Sequence, residues 1–278
     1  MNSSGPKYGY QPKPCKTILI VKDPENLELA RKTFDKTGIT IELRGERHLG
    51  AVVGNAEFKE MYVRKKVNTW IQDVDQLAAI AKDEPQIALC AYTKALCMRW
   101  CFVQRTISDV SHIFQPLEDS IRENLLPAII GRKISDMERR ILALPVRFGG
   151  IGVLNPVETS NIEYDTSVKI TSDLKKIIYN QEKTLENLDE NRVNNIINKS
   201  KQDKEKRFTQ EFEIIKTLVD EDMKRNLDLA REKGSGSWLT ALPIQTLGYA
   251  LNKQEFVFVM VRVSPKPHSI AVVGRRMM

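Results

Sequence analysis

The sequence predicts a mainly α protein with a small α+β piece at its N-terminus, on three observations. Apolar residues recur at helical spacing from Glu57 to about Leu144. Short β-branched runs framed by proline and glycine are confined to the first 56 residues. Residues 174–233 are almost entirely Lys, Glu, Asn, Asp and Gln, the composition of a solvated long helix or a semi-disordered charged linker rather than of a core. The chain therefore divides into an α+β piece (1–56), a helical bundle with a glycine-rich loop (57–173), the charged linker (174–233), and an apolar patch with a tail (234–278).

The first strand is Lys16–Val21, an apolar and β-branched run behind Pro12 and Pro14. Asp23 with Pro24 supplies an N-cap and a first-turn proline for a helix carrying Leu27, Ala30, Arg31 and Phe34, which Gly38 stops. A second strand covers Ile39–Leu43, and Arg47–Gly54 reads as a tight, glycine-bounded third strand at the edge of a sheet. Such a piece is too small to cover both faces of a sheet by itself.

The helical stretch opens with a stripe of Phe58, Met61, Tyr62, Lys65, Val67, Trp70, Ile71, Val74 and Leu77. Pro85 starts a second helix bearing Leu89, Leu96, Trp100 and Val103. A third begins near Val110 with Phe114, Leu117, Ile121 and Leu125. Ser135 and Glu138 form a capping-box pattern for a short fourth helix, Asp136–Leu144. Pro145–Pro156 is a glycine-rich loop, and a further helix follows through Ile170. Beyond Gly234–Ser237 lies the apolar patch Trp238–Leu251, and the C-terminal residues from Val257 are β-prone.

With 278 residues and 41% apolar and 28% charged side chains, the composition is that of a globular chain able to bury a core. The longest mainly apolar run, Phe256–Val263, is eight residues and includes Arg262, whereas a membrane-spanning helix needs about 20. The first residues lack the apolar stretch of a secretory signal, and four cysteines do not make a disulfide scaffold. The expectation is an intracellular protein of nucleus or cytoplasm, not secreted and without a membrane partner. Net charge is +7, with +5 in residues 1–70 and +4 in 234–278. This excess at both ends favours anionic partners.

Candidate chemistry is sparse. Cys90, Cys97 and Cys101 fall on one helical face and with His112 could ligate a metal; packing as small hydrophobes is the favoured reading, since only Cys97 and Cys101 are close in sequence. Gly149-Gly150-Ile151-Gly152 has no Lys-Ser/Thr pair behind it and reads as a backbone turn, not a phosphate loop. Asp73 with Asp75, and Asp220 with Asp222, point to opposite sides of a helix and read as solvated charges. His48, His112 and His268 lack a nucleophile setting. The strongest constellation is basic: Lys13, Lys16, Arg44, Arg47, Arg64, Lys65 and Lys66, interleaved with Tyr8, Tyr10, Tyr62 and Trp70. Cations neutralise phosphates and aromatic faces stack on bases; an ordinary basic surface over core aromatics is the competing reading.

Taken together, GYQPKPCKT (Gly9–Thr17), RHLGAVVG (Arg47–Gly54) and LPVRFGGIGVLNP (Leu144–Pro156) resemble, in order and spacing, segments of the reverse transcriptases of non-LTR retrotransposons. The first resembles the turn into a palm strand that follows the catalytic Asp-Asp motif. The second resembles the hairpin that grips the primer, and the third a segment beyond the thumb helices. The resemblance covers about residues 5–173 and continues weakly through Ser235–Phe256, which is similar to a connector in such elements.

This resemblance implies a partial palm followed by a thumb-like bundle and a charged helical linker. Lys16 would stand near nucleotide phosphates, with Lys13 beside it on the basic surface. His48, Leu49 and Gly50 would form the primer-grip hairpin, with Arg47 among the nucleic-acid-binding cations, and Arg64, Lys65 and Lys66 would open the thumb toward the nucleic-acid backbone. An intact family member uses Mg2+, but its ligating carboxylates belong to segments upstream of Met1, and a two-metal mechanism needs them. The expectation is therefore a catalytically inactive remnant, with no cofactor of its own and no small-molecule substrate, that binds RNA/DNA template-primer. The alternative expectation is a helical interaction or scaffold protein with no nucleic-acid role.

Overall fold

The computed structural model describes residues 7, 9, 11, 13–181, 190–232 and 234–263, with side chains to residue 260. Tyr8, Tyr10, His268 and the tail 264–278 lie outside the described residues. The fold is mainly α with a small α+β piece at the N-terminus.

Lys13 ends in a 3-10 turn, Pro14–Lys16, that leads into β1 (Ile18–Ile20). The Asp23 carboxylate accepts the Glu25 amide at 3.1 Å and starts a 3-10 turn that becomes α1 (Leu27–Thr33). This helix ends at Thr33, well before Gly38: Phe34 already leaves helical geometry, and Lys36 then takes a left-handed φ of 62°. The chain then enters β2 (Thr40–Glu42), which pairs in parallel with β1 in the register Ile18–Thr40 to Ile20–Glu42. Of this βαβ unit only Val21 and Ala30 are buried among the apolar side chains; Leu29 and Phe34 are exposed. Residues 47–54 are not a single strand. They belong to a separate antiparallel hairpin of β3 (Gly45–His48) and β4 (Ala51–Gly54), and the piece holds two two-stranded sheets rather than one edge.

The helical body begins with α2 (Ala56–Ala81), whose first turn is capped by Asn55 Oδ1 accepting the Phe58 amide at 2.9 Å. Val63, Val67, Trp70, Val74 and Leu77, at steps of three and four, form its buried stripe; Met61 and Lys65 face outward. Next come α3 (Pro85–Ala91), one turn of π-helix at Tyr92–Leu96, and α4 (Met98–Thr106). A 3-10 turn, Ser111–Phe114, leads to α5 (Gln115–Ser120), a second π-turn at Ile121–Leu125, and α6 (Leu126–Ile130). Trp70 is the hub of this core, lying nearly parallel to Phe114 at 6.3 Å and tilted against Trp100 at 6.0 Å.

The capping box at Ser135 and Glu138 forms as expected and starts α7 (Asp136–Ala143). The glycine-rich segment then doubles back over the end of that helix: the Val153 amide reaches Leu142 O, and the Gly152 amide reaches Leu144 O at 2.9 Å. A Cβ on Gly150 would lie 2.0 Å from Leu144 O, so only glycine fits the crossing. The carboxylates expected as solvated charges are partly structural. Asp73 pairs with Arg99, Asp75 accepts from Ser120 Oγ and Asn124 Nδ2 at 2.8 Å, and Asp220 caps a later helix through the Met223 amide.

After the loop, α8 (Pro156–Tyr179) runs past the segment boundary expected at residue 173. Two further helices, α9 (Glu190–Leu218) and α10 (Glu221–Ala230), replace the expected core-free linker. Phe212 and Ile215 of α9 and Met223 and Leu227 of α10 bury against Ile141, Leu144 and Phe148, making a second hydrophobic cluster. A few well-placed apolar side chains suffice where a neighbour offers an apolar face.

The connector contains α11 (Ser237–Thr240) and is held to α3 by Gln86, which donates to Tyr249 O at 3.0 Å and accepts the Leu251 amide at 2.7 Å. The β-prone segment that follows is instead helical, α12 (Lys253–Val263). Asn252 and Glu255 cap each other's amides at 2.9 Å, and Phe256 and Met260 are buried in the main core. Packing overrides β-propensity here. Among the described residues, no helix is long and apolar enough to cross a membrane.

Candidate nucleic-acid interface

The glycines at both ends of GERHLGAVVG allow the two strands to close. A Cβ on Gly45 would lie 2.5 Å from Val53 O and 2.8 Å from Phe58 Cδ1, so the hairpin lies flat on the first turn of α2. The two-residue turn between the strands is Leu49–Gly50, with φ of 47° and 84°. Positive φ at both central positions gives a twist that matches the strands. Leucine is a poor occupant of that conformation, and Leu49 is also 85% exposed.

The turn is fastened from below. Tyr62 of α2 donates its hydroxyl proton to Gly50 O at 2.6 Å, and the Lys66 ammonium stands 5.8 Å from the centre of the Tyr62 ring. Gly50 also sits against Phe102 of α4, whose ring edge is 3.4 Å from the position a Cβ would take. Tip, α2 and α4 thus form one surface.

The expected site residues divide into those this surface unites and those it does not. His48, Leu49 and Gly50 form the tip, and Arg47 is exposed on β3 with no ion pair among the described residues. Lys65 is likewise exposed and unpaired among the described residues, Arg64 reaches Glu60 at 3.4 Å, and Lys66 is half-buried. Arg44 pairs with Glu57 at 3.2 Å, which removes part of its charge from the basic set. Lys13 and Lys16 are exposed at the 3-10 turn on the βαβ unit, joined to the hairpin through β1 beside β3. Trp70 is only 5% exposed and belongs to the core, so it is not a stacking platform.

The cysteine constellation resolves differently. The Cys97 thiol donates to Thr93 O at 3.4 Å and the Cys101 thiol to Cys97 O at 3.3 Å. Burial pushes Cys97 up to about 11, and Cys101 upward as well. His112 lies 3.8 Å from Glu60. Among the described residues, no group of three or more His, Cys, Asp or Glu side chains could hold a metal ion.

Two features escape a reading of the residues. The Tyr62–Gly50 bond is one; glycines spaced symmetrically about a Leu-Gly pair were the available signal for the hairpin beneath it. The other is the buried pair Glu118–Arg139, which joins α5 to α7 and for which no local pattern exists. No family model, curated protein or solved structure matches the chain.

Proposed function

We propose that residues 13–173 act as the palm-edge hairpin and thumb of a protein resembling the reverse transcriptases of non-LTR retrotransposons, and that they bind a template-primer duplex without regard to sequence. No catalytic step is assigned to them, and the magnesium-binding carboxylates of such enzymes have no counterpart in this reading. The observation that carries it is Leu49: a bulky apolar side chain held in left-handed backbone and displayed to solvent on a turn locked by Tyr62. Strained and exposed residues persist where a partner uses them. Arg47 and Lys65 on the adjoining β3 and α2, which form no ion pair among the described residues, supply phosphate contacts.

The test is fluorescence anisotropy of the full chain with a labelled RNA–DNA duplex across a salt series. Affinity should fall with salt, and Arg47→Gln and Lys65→Gln should each lower the log–log slope by about 1. Salt-independent or absent binding overturns the proposal. The scaffold reading draws on the exposed Leu242, Leu247 and Tyr249 of the connector; it is favoured if a protein partner depends on these residues and no nucleic acid is retained.

A further inference from the structure

A groove of about 760 Å³ runs between α8 and α9, on a different part of the molecule from the hairpin. Its floor is apolar: Ile162 and Ile170 from α8 face Ile197, Phe208 and Ile214 from α9. Measured from Asn155 to Ile170, its α8 wall is roughly 22 Å long at 1.5 Å per residue.

Charge along the rim is uneven. On the inner side, cations are matched: Arg105 pairs with Glu163 at 2.8 Å, Arg140 with Glu211 at 2.7 Å, and Arg139 with Glu118. Lys201, Lys204 and Arg207 line the α9 rim at successive steps of three residues and form no ion pair among the described residues. Lys204 instead leans over the Phe208 ring, 6.0 Å from its centre. The remaining acid in the lining, Glu158, accepts from Asn155 at 3.2 Å.

We propose that this groove binds a free long-chain carboxylate, its acyl chain along the isoleucine floor and its head between Lys201, Lys204 and Arg207. Size admits this occupant: a volume of about 760 Å³ lies within the range of about 300–1,000 Å³ that suits a single small ligand. Charge selects an anionic head, and a guanidinium offers it a two-pronged contact.

The experiment is a titration of the full chain with cis-parinaric acid, read by its fluorescence. The expected result is saturation at one per chain, displacement by palmitate, and little displacement by the uncharged alcohol of the same chain length. Combined Lys201→Gln, Lys204→Gln and Arg207→Gln changes should weaken binding by about tenfold or more, the worth of one charge-assisted bond. Ile197→Trp, which fills the groove, should abolish it; should that variant fail to melt like the parent, the glutamine variant decides. Absence of saturation, equal displacement by the alcohol, or binding to phosphatidylglycerol vesicles alone overturns the proposal.

Discussion

The Tyr62 hydroxyl and the Gly50 carbonyl meet at 2.6 Å, and this one hydrogen bond ties the hairpin tip to the longest helix of the bundle body. Tyr62→Phe should leave the helices intact and lower stability by about 1 kcal/mol. Amide exchange at residues 48–51 should accelerate more than exchange within α2. Equal acceleration in both would show that the bond holds up the body rather than the tip.

Leu49→Gly should separate stability from binding. Relief of left-handed backbone at this position is worth about 1 kcal/mol, so the variant should melt higher. Its affinity for an RNA–DNA duplex should nevertheless fall, because the displayed side chain is gone. A variant that is more stable and binds equally well would remove Leu49 from the interface.

The buried pair between α5 and α7 is a third target. Arg139 Nε and Nη2 reach the two Glu118 oxygens at 2.6 and 2.7 Å, and Nη1 donates to Val153 O at 2.8 Å. Glu118→Ala strands a buried guanidinium and should cost about 3–5 kcal/mol in chemical denaturation. Replacing both partners together, as Glu118→Leu with Arg139→Met, should cost less than the single change. A double variant as unstable as the sum would show that Val153, and not the ion pair, is the essential contact.

Thiol chemistry supplies a pH test. Cys15 is exposed, whereas burial raises Cys97 to about 11. At pH 8 a disulfide reagent should therefore label Cys15 first and Cys97 slowly. Because the folded value lies above the unfolded one, the stability held by the protonated Cys97 thiol is complete below about 9 and drains away as pH rises through about 11. A chain with Cys97→Ala should show a weaker loss over that window in alkaline denaturation.

Much of the body was legible because its signals are local. The Ser135–Glu138 cap and the stripe of Val67, Trp70, Val74 and Leu77 depend on residues within a few positions of one another. The second hydrophobic cluster was not, since Phe212 becomes core only when Ile141 and Phe148 arrive from far away in the chain. The segment after Asn252 fails for a related reason: a short apolar run fits strand or buried helix equally, and contacts with α3 and α6 decide. At the candidate interface, glycines and cations could be read directly. The fold was required to show that Trp70 is inaccessible and that Tyr62 is spent on the turn.

The two π-turns, Tyr92–Leu96 and Ile121–Leu125, act as phase shifters along otherwise regular helices. Each accommodates one residue more than an α-turn would, and one residue corresponds to about 100° of rotation. Shortening either turn by a single residue would give a better helix with the wrong azimuth: Trp100 and Val103 in one case, and Ile129 and Ile130 in the other, would swing away from the faces they now fill. The irregular turns are thus what keeps the regular helices in phase with a shared interior.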